Sequence, residues 1–299
     1  MLTQCGQTVN IGFYSGIFCC IFGLNGVLGN AIMGILFLIG VSQFYSFVVM
    51  FGVGLFALLF YLVLRKIPQN DDRSVERKQF RQVIKETGES IVKTFKFLID
   101  KKMLLLVPLF LYNGYSYSFF FGIIPPNVPL EYVPWINLVF SLSGPIVAIG
   151  IGKGGDLVGI RWMMLLSFLF HIGATVLSFF IFRLQFIWLY FITIFICGVA
   201  YSATTTLIFA IVGILFEESP SCAFAAFNFV QALSTALSMV SGIYFDYYVI
   251  LGIMTALLVL SIIGFFVLDL KVYKVDQPKM EATNTEVTEV ELKDEPVIE

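Results

Sequence analysis

The residues best placed to do chemistry lie in one short segment between two apolar runs, Gly152-Lys153-Gly154-Gly155-Asp156-Leu157-Val158-Gly159-Ile160-Arg161. Its glycines allow a tight turn between helices. The Asp156 carboxylate can then meet helix N-terminal amides and a basic side chain, latching one conformation of the helices. Gly152, Asp156, Gly159 and Arg161 form this candidate conformational latch; a simple tight turn is the plain alternative. Inside the apolar runs the polar residues are Asn25, Asn30, Asn113, Asn137, Thr204, Thr205, Thr206, Asn228 and Gln231, which hydrogen-bond but do not titrate. His171 is the sole histidine and falls in the middle of a run. It is either a proton-coupling group or, as is commoner, a neutral imidazole hydrogen-bonded within a bundle. Asn25, Asn30, Asn113, His171, Thr206, Asn228 and Gln231 are the candidates for an intramembrane polar site. No carboxylate lies at the centre of a run; Asp246 and Asp269 sit at run ends, with Asp246 placed to cap a turn.

Enzyme chemistry finds no support. The chain has no His-Glu-x-x-His, no Gly-x-Ser-x-Gly and no Gly-Lys-Ser/Thr phosphate loop. Paired aspartates in mid-run, as an intramembrane protease would need, are missing. Cys5, Cys19, Cys20, Cys197 and Cys222 show no zinc spacing and read as free thiols packed as small hydrophobes. No cofactor or metal is implied. A net charge of −2 makes no case for nucleic acid as a partner.

The elements that must position these residues are membrane spans. The chain of 299 residues is 59% hydrophobic and 13% charged, with a mean hydropathy of +0.92. Soluble domains carry about a quarter charged residues, so a bilayer is the partner that can cover this surface. A spanning helix needs about 20 mostly apolar residues. Runs of that kind occupy 12–39, 43–64, 103–124, 134–152, 162–182, 186–214, 223–244 and 248–269, which makes eight spans. They are continuously apolar rather than alternating, which excludes barrel strands.

Eleven of the 18 basic residues lie between Arg65 and Lys102, after two spans and before six. Placing that linker in the cytoplasm and alternating sides leaves only Arg183 outside, with both termini inside. Within the linker, Phe80, Ile84, Ile91, Phe95 and Leu98 recur at mostly helical spacing. They predict an amphipathic helix that packs on the cytoplasmic ends of the spans or lies at the lipid surface. The organisation expected is 1–64 as a partial half of two spans, 65–102 as the linker, 103–270 as a complete six-span half and 271–299 as a disordered acidic tail. Gly12 and Gly16, Gly23, Gly26 and Gly29, and Ser234, Ser238 and Gly242 form small-residue faces suited to close helix packing.

The 152–161 segment is similar to the loop signature of the major facilitator superfamily, Gly-x-x-x-Asp-Arg-x-Gly-Arg-Arg. Gly152, Asp156, Gly159 and Arg161 match it, while Leu157 and Ile160 stand where basic residues are usual. An ordered series of phrases resembles the uncoordinated-ninety-three-like family of ion-channel regulatory proteins. These are Leu2-Thr3, Ser15 to Phe18 and Gly29-Asn30, then Lys96 to Met103, Tyr112-Asn113-Gly114 and Phe121-Gly122. Gly198-Val199-Ala200, Gly213 to Glu217 and Ala223 to Phe227 complete it. The resemblance implies an all-α polytopic membrane protein, a major-facilitator-like bundle holding about eight of the usual twelve spans. It implies the last two spans of a first half and all six of a second, with the first four spans absent. Known members include a potassium-channel accessory subunit and an endosomal receptor chaperone. The implied role is regulatory, by binding another integral membrane protein such as a potassium channel; the alternatives are a secondary transporter of a small solute and an inactive truncated product. One departure bears on transport: Tyr201 stands where the family often has Asp, and Leu207 where it has Gln. Thr206 keeps the family's threonine.

Overall fold

A computed structural model describes residues 10–63 and 80–270 of the chain. The first part of the basic linker, the acidic tail, Leu2-Thr3 and Cys5 lie outside the described residues. Every described element is helical, as expected of a chain whose backbone polar groups must be satisfied within lipid. In chain order the helices are α1 (Ile11–Leu38), α2 (Gln43–Val63), α3 (Phe80–Phe97), α4 (Lys101–Ser118), α5 (Val133–Val158), α6 (Ile160–Leu184), α7 (Ile187–Leu215), α8 (Pro220–Tyr244) and α9 (Tyr247–Leu268). Seven of them are long and apolar enough to cross a bilayer, and α2 contributes a shorter apolar stretch, Gln43–Leu59. Each of the eight apolar runs is therefore a helix.

α7 is the axis of the bundle. It packs against α5, α6, α1, α4 and α8, and seventeen of its residues are buried, most of them small or aliphatic. Its polar residues Ser202, Thr204 and Thr206 are buried too, so its inner face holds hydroxyls as well as methyls. α4 packs chiefly on α8 and α9. α1 makes its most extensive contact with α5 and a second one with α7, so the first described span is integrated into the later spans. α2 touches little besides α1.

Close approach depends on glycines, because lipid supplies no hydrophobic force to press helices together. Gly23 of α1 lies against the Pro145 ring of α5, where an added Cβ would stand 3.1 Å from its Cδ. Gly198 of α7 faces Ser143 and the Phe140 carbonyl of α5 so closely that a Cβ would overlap them. Gly114 of α4 meets the backbone carbonyl of Gln231 on α8 in the same way. Beside it, the hydroxyls of Ser234 and Thr235 on α8 donate to the Leu111 and Gly114 carbonyls of α4.

Three local features set the ends. α4 continues into a single π turn, Phe119–Ile123, followed by two 3-10 turns, Pro125–Asn127 and Leu130–Tyr132. Gln185 ends α6 in the left-handed conformation. α3 packs on α8, with Phe95 edge-on to Phe229, while Phe97 meets Phe216 at the end of α7. Two expectations are corrected here. The glycine-rich segment 152–158 is not a turn: α5 runs helically through it to Val158, and the chain reverses at Gly159 alone. Asp246 sits at the N-cap position of α9, yet its side chain makes no capping hydrogen bond.

Candidate functional site

α1 begins without help from its own cap. Asn10 occupies the N-cap position and makes no side-chain capping bond, so the first amides of the helix need another acceptor. Asp156 supplies it from the last turn of α5. Its Oδ1 accepts from the Gly12 amide at 2.9 Å and its Oδ2 from the Phe13 amide at 2.7 Å. The carboxylate thus caps a helix 144 positions away and sits at the positive end of that helix dipole. A cap of this kind contributes about 1 kcal/mol.

Gly12 and Gly152 make the contact possible. A Cβ on Gly12 would overlap the Gly152 carbonyl oxygen and come within 2.7 Å of Asp156 Oδ1. A Cβ on Gly152 would overlap the Gly12 carbonyl oxygen. One turn on, a Cβ on Gly16 would stand 2.6 Å from the Ala148 carbonyl oxygen. Gly152 therefore serves as a surface for backbone-to-backbone packing.

Gly159 acts differently. Its φ of 102° and ψ of 140° lie where side chains are strained, while a Cβ there would meet nothing within 4 Å. It is required for the reversal between α5 and α6, two residues before Arg161.

Arg161 does not join Asp156. Its Nε lies 3.2 Å from Asp269 Oδ2 at the C-terminal end of α9. Arg161 is 53% exposed and Asp269 only 7%. An arginine in the first turn of a helix and an aspartate just past the end of another each oppose the local dipole. Paired, each offsets the other's unfavourable position. The α5–α6 reversal is thus tied to the start of α1 through Asp156 and to the end of α9 through Arg161.

The remaining candidates form separate links between helices. His171 of α6 is fully buried, with Nε2 3.0 Å from Thr204 Oγ1 of α7. The Thr204 hydroxyl contacts Ser167 Oγ, which donates to the Ala200 carbonyl. Tyr112 of α4 meets the imidazole edge-to-face at 4.8 Å. Asn113 pairs with Thr205 across α4 and α7, at 3.3 and 3.4 Å. Gln231 of α8 donates to the Tyr201 hydroxyl at 3.1 Å. Asn30 of α1 donates to Ser141 of α5 at 3.1 Å. Thr206 is fully buried outside these links, whereas Asn25 on α1 and Asn228 on α8 are exposed. The candidates are not gathered around one space; α7 carries the partner of His171, of Asn113 and of Gln231.

Two partners were hidden from sequence reasoning. The amides that Asp156 caps belong to Gly12 and Phe13, and backbone amides carry no sequence signature. Asp269 did have one: it is a carboxylate at the same end of the bundle as Arg161, in a chain with few charges near its spans.

A model of the Major Facilitator Superfamily matches residues 7–239. Protein unc-93 homolog A of Danio rerio is 25% identical over 252 residues, covering 82% of this chain and 53% of that protein. Protein unc-93 homolog A of Homo sapiens is 24% identical over 180 residues, covering 57% of this chain and 39% of that protein. The chain spans about half the length, or less, of these curated relatives. By the family model and the nearly all-helical polytopic fold, the chain belongs to the Major Facilitator Superfamily, and it is similar to the unc-93 homolog A proteins.

Proposed function

We propose that this protein is a non-enzymatic membrane regulator that acts by binding another integral membrane protein, with a channel as the class of partner that the resemblance favours. One observation carries the reading: α2 is a span with almost no neighbours. Phe44, Phe51 and Phe56 are each about 70% exposed. A Cβ added at Gly52 or Gly54 would meet nothing within 4 Å, so small-residue gaps sit among large apolar side chains. Such a surface suits the approach of a second helix. Inside the bundle, by contrast, Asn113, His171 and Gln231 each already bond to a side chain of α7. In this reading the basic linker and both termini are cytoplasmic, and residues 103–270 form the six-span half. The Asp156 and Arg161 links latch the cytoplasmic ends of α1, α5, α6 and α9 in one arrangement.

The test is affinity purification in mild detergent. A membrane partner should be recovered in stoichiometric amount, and Gly52→Leu with Gly54→Leu should abolish recovery while leaving the thermal midpoint unchanged. Recovery of no partner would sink the proposal.

Superfamily membership favours one other reading, a secondary transporter. Alternating access uses two repeats around a midplane site. Uptake by the purified chain in liposomes, lost on Asn113→Ala or His171→Gln, would favour transport over regulation.

A further inference from the structure

At the end of the bundle opposite Asp156, a cleft of about 470 Å³ opens between the last turn of α1, the 3-10 turns and the start of α5. Phe37, Leu38, Pro129, Leu130, Glu131 and Trp135 line it. Gly12, at the Asp156 end of α1, and Phe37 are 25 residues apart on one helix, about 38 Å at 1.5 Å per residue. The bilayer hydrocarbon is about 30 Å thick. With the Asp156 end at one interface, the cleft lies at the other, on the boundary between acyl chains and headgroups.

Its lining is sorted by chemistry. Leu38 and Leu130 are exposed apolar walls, at 70% and 62%. Trp135 is held by α1, since a Cβ on Gly34 would stand 3.3 Å from its ring. Indole rings concentrate at this depth, and their faces attract ammonium groups. Glu131 adds a full negative charge. Among the described residues it forms no ion pair, and Arg183, the basic residue at this end of the bundle, is not within 4 Å of it. An unpaired carboxylate and an indole on the rim of an apolar cleft select a positive headgroup attached to an apolar chain.

We propose that this cleft binds a zwitterionic phospholipid through its ammonium headgroup, with Glu131 as counter-charge, Trp135 as the cation–π surface, and Phe37, Leu38 and Leu130 against the acyl chain. An anionic lipid of the same chain length is disfavoured by Glu131.

The experiment uses the full chain in mild detergent with phosphatidylcholine or phosphatidylglycerol of matched acyl chains. Lipid retention is read by native mass spectrometry and by the shift in thermal midpoint. The wild-type protein should retain phosphatidylcholine about three- to tenfold more tightly than phosphatidylglycerol. Glu131→Gln, an exposed substitution with little folding cost, should bring the two within about twofold by weakening phosphatidylcholine. As a second measurement, nitroxide-choline lipid should quench Trp135 emission in a Trp162→Phe, Trp188→Phe background. Equal retention of both lipids, an unchanged preference in Glu131→Gln, or no quenching would overturn the proposal.

Discussion

Asp156 caps Gly12. The two residues are 144 positions apart, and their contact at 2.9 Å joins the last turns of α5 to the first turn of α1. Because the carboxylate also takes the Phe13 amide, it satisfies two amides that no residue of α1 satisfies. Asp156→Ala should lower stability in mild detergent by about 1–2 kcal/mol. Asp156→Asn keeps one acceptor oxygen but loses the charge, and should recover about half of that. Thermal unfolding of the three proteins checks the order; equal midpoints for all three would show that the cap does not matter.

Gly152→Ala tests the packing surface beside that cap. Its methyl group would overlap the Gly12 carbonyl oxygen, which is backbone and cannot rotate away. Gly150→Ala, two residues earlier in the same helix, meets nothing within 4 Å. Gly152→Ala should cost about 1–3 kcal/mol through overpacking, whereas Gly150→Ala should be neutral or slightly stabilising. A cysteine cross-link between α1 and α5 should form more slowly in the first variant and at the wild-type rate in the second.

Gly159→Ala separates strain from space. The site is open, so the whole cost comes from φ of 102°, about 1–3 kcal/mol. Larger side chains should cost about the same as alanine, because there is nothing for them to strike. A midpoint that falls steadily with side-chain size would point to crowding instead of strain.

Arg161→Ala and Asp269→Asn should be coupled. Removing Arg161 leaves Asp269, 7% exposed, as a nearly buried charge past a helix C-terminus. Removing both should cost less than the sum of the two single changes. A coupling of about 1–2 kcal/mol is expected, reduced from that of a fully buried pair because half of Arg161 faces solvent. Additive single and double variants would show that the pair contributes nothing.

The eight apolar runs were legible because a bilayer demands long, continuous apolar stretches, and nothing else in the chain imitates them. The 152–158 segment departs from expectation for a related reason. Glycines in water mark turns, but in lipid the helix keeps its backbone bonds and uses Gly152 to approach Gly12. Asp156 and Arg161 stand out by type, and so does Asp269, but which groups pair does not. One partner is backbone, and the other, Asp269, lies at the far end of the chain, so only the arrangement of α9 beside α6 reveals it.

The His171 link fixes a proton order. Ser167 and Thr204 have one hydroxyl proton each. Ser167 donates to the Ala200 carbonyl, a group that can only accept. Ser167 must therefore accept from Thr204, and Thr204 must accept from His171 Nε2–H. The neutral imidazole is then the Nε2–H tautomer, with Nδ1 as the ring nitrogen without a hydrogen-bond partner. The opposite tautomer would bury an unpaired N–H, and would ask one Thr204 proton to serve two acceptors. The 15N spectrum of this sole histidine should show protonation at Nε2 alone. Thr204→Ser should preserve that spectrum. Thr204→Val removes the acceptor and the donor together, and should cost about 1–3 kcal/mol as Ser167 and His171 lose their partner. A spectrum dominated by Nδ1–H in the wild-type protein would reverse the assigned proton order.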